Sequence, residues 1–184
     1  MNHSASVIVL AGRRIDPPGA RVRRFPLDAV DRVSSAVWRE IAASAARSFV
    51  SSAACGADLI GLQVAGALGL DRHVVLPFDR DRFRATSVAD RPGDWGPIFD
   101  AVLDAIEPDR LTILGTADGG RSYEVANSAI LDQAVALAGG PDRVLAIVVW
   151  DGASRGRSDV TASFRTGARE LGMRIAEVWT LATD

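Results

Sequence analysis

The stretch "SFVSSAACGADLIGLQVAGALGLDRHVVLPF", residues 48–78, decides the fold. Its opening "SFVSSA" reads as a strand, residues 58–68 carry apolar side chains at helical spacing, and "RHVVLPF" (72–78) is a β-branched run closed by proline. Strand, helix and strand in that order call for a parallel crossover. Between the first strand and the helix lies a turn of small residues holding Cys55 and Gly56. That turn either presents a reactive thiol or makes room for a ligand.

The same alternation continues outward. "SVIVLAG" (6–12) is a strand ended by glycine, and 28–47 has helical spacing, with Val30, Val33, Val37 and Ile41 on one stripe and Asp28 as a candidate cap. "LTILGT" (111–116), "VLAIVVW" (144–150) and "MRIAEVW" (173–179) supply three more strands. Helical patterns at about 96–106, 122–138 and 159–171 lie between them. The expectation is an α/β, three-layer Rossmann-like domain with a mostly parallel sheet of about six strands. "IDPPGARVRRFP" (15–26) reads as a loop within it, and no repeat, low-complexity tract or linker divides the chain.

Composition sets the outer limits. The chain has 184 residues, 48% of them hydrophobic, with a formal net charge of −2, which suits one domain, 1–184, with a buried core. No apolar run approaches the roughly 18 residues of a membrane span. The opening "MNHSASVIVLAGRR" lacks the basic region ahead of an apolar stretch that marks a signal peptide. A cytoplasmic protein with no membrane partner is expected. The single cysteine cannot form an internal disulfide, and His3 and His73 give no zinc-ligand pattern, so neither a metal nor a cofactor is expected. All 21 basic residues are arginine, the better bidentate partner for phosphate. The overall charge disfavours nucleic acid as a partner and leaves small anionic ligands open.

Open parallel sheets bind ligands beyond the carboxyl ends of their strands. The segments that matter are therefore "AGRRID", "SSAACGAD", "PFDRDRFRATS", "GTADGGRSYEVAN" and "WDGASRGRSDVT". In the first, Gly12 allows close backbone approach, and Arg13 or Arg14 offers planar donors to a phosphate or forms a solvated surface pair. In the second, small residues from Ser51 and Ser52 to Gly56 and Ala57 leave backbone N–H groups open at the positive end of a helix dipole. Asp58 is either an N-cap or an acceptor for a ribose hydroxyl. Cys55 has no histidine near it in sequence to act as a base, so a thiol mechanism is not expected.

The later loops carry further candidates. Tyr123 and Asn127, four apart at a helix start, are placed to stack on a base and read its edge, or are a partly buried tyrosine and a helix-surface asparagine. Glu124 reads as a helix-start charge ahead of a catalyst. Phe83 and Trp95 either close over a ligand or pack inside, with core packing favoured for Trp95. Trp150 ends a strand, Asp151 and Gly152 turn the chain, and Asp159 with Thr161 opens the next helix, Asp159 being favoured as its N-cap. The Gly-rich, Arg-bearing interval 152–158 reads as mobile and able to order around an anion.

The run "SSAACGADLIGLQVAGALGLDRHVVLPF" resembles the motif of the SLOG superfamily, the Rossmann-like domains shared by DprA-type DNA-processing proteins and LOG-type phosphoribohydrolases. Ser51, Ser52, Ala53, Ala54, Cys55, Gly56, Ala57 and Asp58 stand where DprA-type proteins have Ser-Gly-x-Ala-x-Gly-Ile-Asp. "VIVLAGRRID" is similar to the family's first strand, which ends in a Gly-x-Arg turn. Closer still are bacterial SLOG-like domains with a Gly-Ala-Asp helix start, a "VVLPF" strand, an arginine-rich segment such as Arg82–Arg84, and a late "WDG…T" loop, here Trp150–Gly152 with Thr161.

The departures direct the functional expectation. LOG-type enzymes carry Pro-Gly-Gly-x-Gly-Thr and a following catalytic glutamate, whereas this chain has only Gly115, Thr116, Gly119 and Gly120, with Glu124 as a loose positional candidate. Cys55 replaces the arginine of the DprA motif and Ser52 its second-position glycine, and no basic face suited to single-stranded DNA is evident. The resemblance therefore implies a bacterial, cytoplasmic signalling domain that binds a nucleotide or nucleotide-derived molecule, such as a cyclic ADP-ribose type signal, without consuming it. In that reading the Gly12 and Gly56 turns surround phosphate or ribose, Arg13, Arg82 and Arg84 neutralise charge, and the domain works as a homo-oligomer or with an effector protein. The alternatives are a nucleotide N-glycosidase, phosphoribohydrolase or ribosyl transferase using Glu124 or Asp58, and an interaction module without a ligand.

Overall fold

Six strands, β1 (Val7–Gly12), β2 (Ser48–Ser51), β3 (Asp71–Leu76), β4 (Leu111–Ile113), β5 (Val144–Trp150) and β6 (Arg174–Trp179), form one sheet in the order β4-β3-β2-β1-β5-β6. Every pairing is parallel. The computed structural model describes residues 5–116, 121–156 and 158–182. Strands inside a parallel sheet are covered on both faces, which is why they read as continuous apolar runs. Period-two geometry then sorts each run. Ile8 and Leu10 of β1, Phe49 of β2, Val74 and Leu76 of β3, and Ile147 and Val149 of β5 point to one face. Val7, Val9, Val50, Val75, Val144, Ala146 and Val148 point to the other.

Helices cover both faces, giving the three layers. Against the first face lie α1 (Val30–Ala42), α2 (Ala57–Ala67) and α4 (Trp95–Asp104), reached through a single turn, α3 (Arg80–Phe83). Against the second lie α5 (Arg121–Ala138) and α6 (Val160–Glu170). The α1 stripe buries Val33, Val37 and Ile41, each fully buried aliphatic contributing about 1.5–3 kcal/mol. By contrast α2 is buried almost all round, Ala57 to Leu62 without interruption. It presses close to the sheet because Gly61 has no Cβ, which would lie 2.7 Å from the Phe49 ring.

Chain order fixes where the sheet opens. The path runs outward from β1 to β4, then returns through α5 to place β5 on the other side of β1. The reversal at β1 and β5 separates the loops that leave the strand ends, which is where open α/β sheets bind ligands. None of the described helices is long and apolar enough to cross a membrane.

Two expected elements are shorter than their sequence patterns. The helix expected over 28–47 begins as a 3₁₀ turn, Leu27–Ala29, and ends at Ala42, where the Ala43 N–H closes on the Arg39 carbonyl and the Ser44 hydroxyl on that of Ile41. Asp28 is not its cap; it is exposed and held by Arg23 Nη2 at 3.0 Å. The strand expected over 111–116 pairs regularly only through Ile113, although the Thr116 N–H still reaches the Pro77 carbonyl at 2.8 Å. The other elements lie within two residues of expectation; β2 and β3 end at Ser51 and Leu76, two residues before the ends of "SFVSSA" and "RHVVLPF".

Candidate functional site

Arg13 leaves β1 and turns into the protein. Its Nε donates to Asp151 Oδ1 at 2.7 Å, Nη1 to Asp159 Oδ1 at 2.6 Å and Nη2 to the Ala153 carbonyl at 2.6 Å. Asp151 takes a second guanidinium through Oδ2, that of Arg24, at 2.6 Å. Asp159 caps α6, accepting from the N–H groups of Thr161 and Ala162, as expected of it. Burial alone would raise the Asp159 carboxyl, but Arg13 and the N–H groups of Arg155 and Ala162 outweigh it and hold it at about 2. The charge of Arg13 is thus already matched by two buried carboxylates. It borders the cavity described below, yet it ties the end of β1 to the end of β5 and the start of α6, and its charge is not free.

Gly12 serves close packing. A Cβ there would lie 2.5 Å from both the Ala57 Cβ and the Val149 carbonyl oxygen, so the glycine lets α2 approach β1 and β5. Gly56 has φ +92°, a left-handed conformation, and a Cβ would meet the Arg13 carbonyl at 2.8 Å. The two turns are joined by the Ala57 N–H, which donates to that carbonyl at 3.1 Å.

This changes the reading of the α2 N-terminus. Cys55 N–H donates to the Ser87 carbonyl, Ala57 N–H to Arg13 and Leu59 N–H to Ala54, so the turn's donors are largely used by the chain itself. An open phosphate cradle is not what they form. Ser51 is buried, its hydroxyl donating to the Leu10 carbonyl at 2.9 Å, while Ser52 faces the cavity. Cys55 is fully buried, and burial pushes its thiol up, with Arg14 only partly opposing. It fills space, as expected.

Asp58 is not the cap of α2. Its Oδ2 accepts from the Ala54 N–H, four residues earlier, at 3.2 Å, and the carboxyl also takes the Gly12 N–H. The side chain therefore bridges the β1 and β2 turns from the cavity wall. Burial raises it to about 7, with the two N–H groups and Arg14 pulling back only in part.

From the opposite side come α5 and α6. Tyr123 lines the cavity with its hydroxyl 3.0 Å from Ser87 Oγ and its ring edge-on to Phe78. Asn127 also lines it, but Nδ2 donates to the Val160 carbonyl at 2.8 Å and so joins α5 to α6. Thr161 completes that wall. Phe83 both reaches the cavity and stacks on Phe99 in the core, and Trp95 is packed inside with Nε1 donating to the Pro92 carbonyl.

Several expected residues lie elsewhere. Arg82 rests over the Phe78 ring, 4.3 Å from its centre, and Arg84 binds Asp100 through Nε at 3.0 Å; neither lines the cavity. Trp150 stacks on Trp179, and Gly152 makes room for that ring, since a Cβ would lie 2.5 Å from Trp179 Cζ3. Glu124 is on the exposed side of α5, away from the cavity, because its neighbours Tyr123 and Asn127 take the inward positions. Gly119 and Gly120 lie outside the described residues.

Together these walls enclose about 250 Å³ above the ends of β1 and β2. The loop 13–26 contributes Arg14, Ile15, Asp16, Pro17 and Arg24, and Arg91 and Arg155 reach in from two other loops. Arg24, Arg91 and Asp16 were not singled out by sequence. Arg24 stands in "RVRRF", within the loop 15–26, Arg91 lies beyond the Arg82–Arg84 segment, and Arg155 lies in the interval 152–158. Arg14 is held by Asp90, and Arg91 approaches the same carboxylate at 3.8 Å, so two cations share one anion. Among the described residues no group of three or more His, Cys, Asp or Glu side chains is placed to hold a metal ion. No protein-family model matches the chain, and no curated protein matches it either.

Proposed function

We propose that this chain binds a nucleotide or nucleotide-derived small molecule in the cavity above β1 and β2, one nucleotide unit in size, without consuming it. The observation that carries this reading is the pairing, in one cavity, of an arginine rim with an apolar and aromatic wall. Arg91 and Arg155, each 3.8 Å from its nearest carboxylate, suit a phosphoryl group, while Tyr123, Ala126, Ile130 and Phe83 suit a planar base. At about 250 Å³ the cavity is smaller than most drug-sized sites, which argues for a mononucleotide over a dinucleotide such as NAD. The resemblance to bacterial, cytoplasmic SLOG-like sensors supports the same reading and adds the signalling role.

The enzymatic alternative is left with one carboxyl. Of the two carboxyls weighed for it, Glu124 is outside the cavity, so N-glycoside cleavage would fall to Asp58. Thermal melting with the four ribonucleoside 5′-monophosphates, NAD and cyclic ADP-ribose, with chromatography of the same mixtures, tests both readings. A ligand that binds the folded state raises the midpoint by mass action. The expected result is a rise with one or more monophosphates and no product. Product formation overturns the non-consuming reading. No shift with any of them overturns ligand binding and leaves the interaction module, which native mass spectrometry would reveal as a stable homo-oligomer or effector complex.

A further inference from the structure

We infer that Asp58 is the specificity-determining residue of this cavity, accepting a sugar hydroxyl and so selecting ribosyl over 2′-deoxyribosyl ligands. The inference rests on the nucleotide reading above and gives it a substrate class. A carboxylate offers about four acceptor directions, and Asp58 spends them on two backbone donors, Ala54 N–H and Gly12 N–H. The remaining capacity belongs to a residue that is only 7% exposed and lines the cavity, so a group bound there is the one placed to use it.

The surroundings specify what the donor is. Arg14, Arg24, Arg91 and Arg155 face the cavity from three loops, with Asp16 beside them and Tyr123 opposite on α5; Asp90 holds Arg14 and approaches Arg91, Asp151 binds Arg13 and Arg24, and Asp159 binds Arg13 and lies 3.8 Å from Arg155. Asp58 already has the Arg14 guanidinium as its charged neighbour, so the further group on it is neutral: a hydroxyl or an amino group. The walls divide the two. Tyr123, Ala126 and Ile130 give the α5 side an apolar surface for a base, whereas Ser52 and Asp58 make a polar floor at the end of β2. The sugar lies on that floor, within reach of the carboxyl.

Hydroxyl donors favour the ionised form of Asp58, so ribosyl binding strengthens as the carboxyl loses its proton. The ligand's phosphate and the arginines act equally on ribosyl and deoxyribosyl partners, and the ratio of their affinities isolates Asp58.

Calorimetry with adenosine 5′-monophosphate and its 2′-deoxy counterpart, at about pH 5.5 and pH 7.5, reads that ratio. A hydrogen bond to a charged group corresponds to about tenfold or more. The expected result is a ribosyl preference of at least about tenfold at the higher pH that shrinks at the lower pH, and loss of both the preference and its pH dependence in Asp58→Asn. Equal affinity of the two ligands for the wild-type chain overturns the inference while leaving the nucleotide reading intact. An Asp58→Asn variant that weakens both ligands alike overturns it too. Failure of both nucleotides to bind overturns the inference as well, and removes the nucleotide reading too if none of the four monophosphates shifts the melting midpoint. The wild-type ratio needs no variant to fold.

Discussion

Asp159 Oδ1 lies 2.6 Å from Nη1 of Arg13, and the same oxygen accepts the N–H groups of Thr161 and Ala162. One carboxylate thereby caps α6 and fixes the end of β1, so removing it leaves a buried guanidinium and an uncapped helix together. Breaking one partner of a buried pair costs about 3–5 kcal/mol. Asp159→Ala is expected to lower chemical-denaturation stability by that much, and Asp159→Asn, which keeps the cap, by less. The folded carboxyl is depressed to about 2, so its contribution is present above the ordinary carboxylate range and is lost as pH falls through about 2. Acid titration of the wild-type chain should therefore show a larger loss of stability at low pH than either variant.

Asp58 has the opposite sign. Its folded carboxyl is raised to about 7 by burial, so its contribution is favourable below the unfolded value, declines as pH rises and is fully lost above about 7. Asp58→Asn keeps an oxygen for the two backbone donors and removes the charge. The variant should gain stability relative to wild type between about pH 4 and pH 8, by up to on the order of 4 kcal/mol. Urea melts across that range check it; a constant difference between the two chains would contradict the buried, ionising carboxyl.

Gly12 and Gly19 separate close packing from chain flexibility. Gly12→Ala drives a Cβ to 2.5 Å from Ala57 Cβ and from the Val149 carbonyl, which forces α2 off the sheet. Overpacking of this kind costs about 1–3 kcal/mol or more. Gly19 lies in the loop at φ +70° with nothing within 4 Å, so its replacement by alanine meets only backbone strain and should cost about 1 kcal/mol. Melting temperatures of the two variants give the comparison.

The fold was legible because its strands are apolar on both faces and its helices punctuate them. "VLAIVVW" is a β5 whose residues alternate between two cores, and its boundaries follow from that run alone. The site was legible only as a set of strand ends. Sequence proximity cannot show that Arg13 would find Asp151 and Asp159, 138 and 146 residues away, or that Gly152 exists for Trp179. Arginines at loop positions look alike in one dimension. What separates Arg24 and Arg155 from Arg82 and Arg84 is where each side chain is held: the first two reach the cavity, whereas Arg82 lies over the Phe78 ring and Arg84 on Asp100.

That distinction is itself testable. Arg155 lines the cavity while half its side chain is exposed, and its nearest charged partner, Asp159, is 3.8 Å away, so its removal takes the proposed ligand donor without dismantling the fold. Arg84 is paired to Asp100 on the surface, where an ion pair contributes about 0–1 kcal/mol. Arg155→Gln should weaken a bound mononucleotide about fivefold or more, as expected for a lost charge-assisted hydrogen bond, and flatten the salt dependence of binding. Arg84→Gln and Glu124→Gln should leave affinity within about twofold, since neither residue reaches the cavity. Titration calorimetry of the three variants at two salt concentrations reads all of this. Equal loss in Arg84→Gln would move the anion to the α3 side of the molecule, because only a ligand seated there would sense that guanidinium.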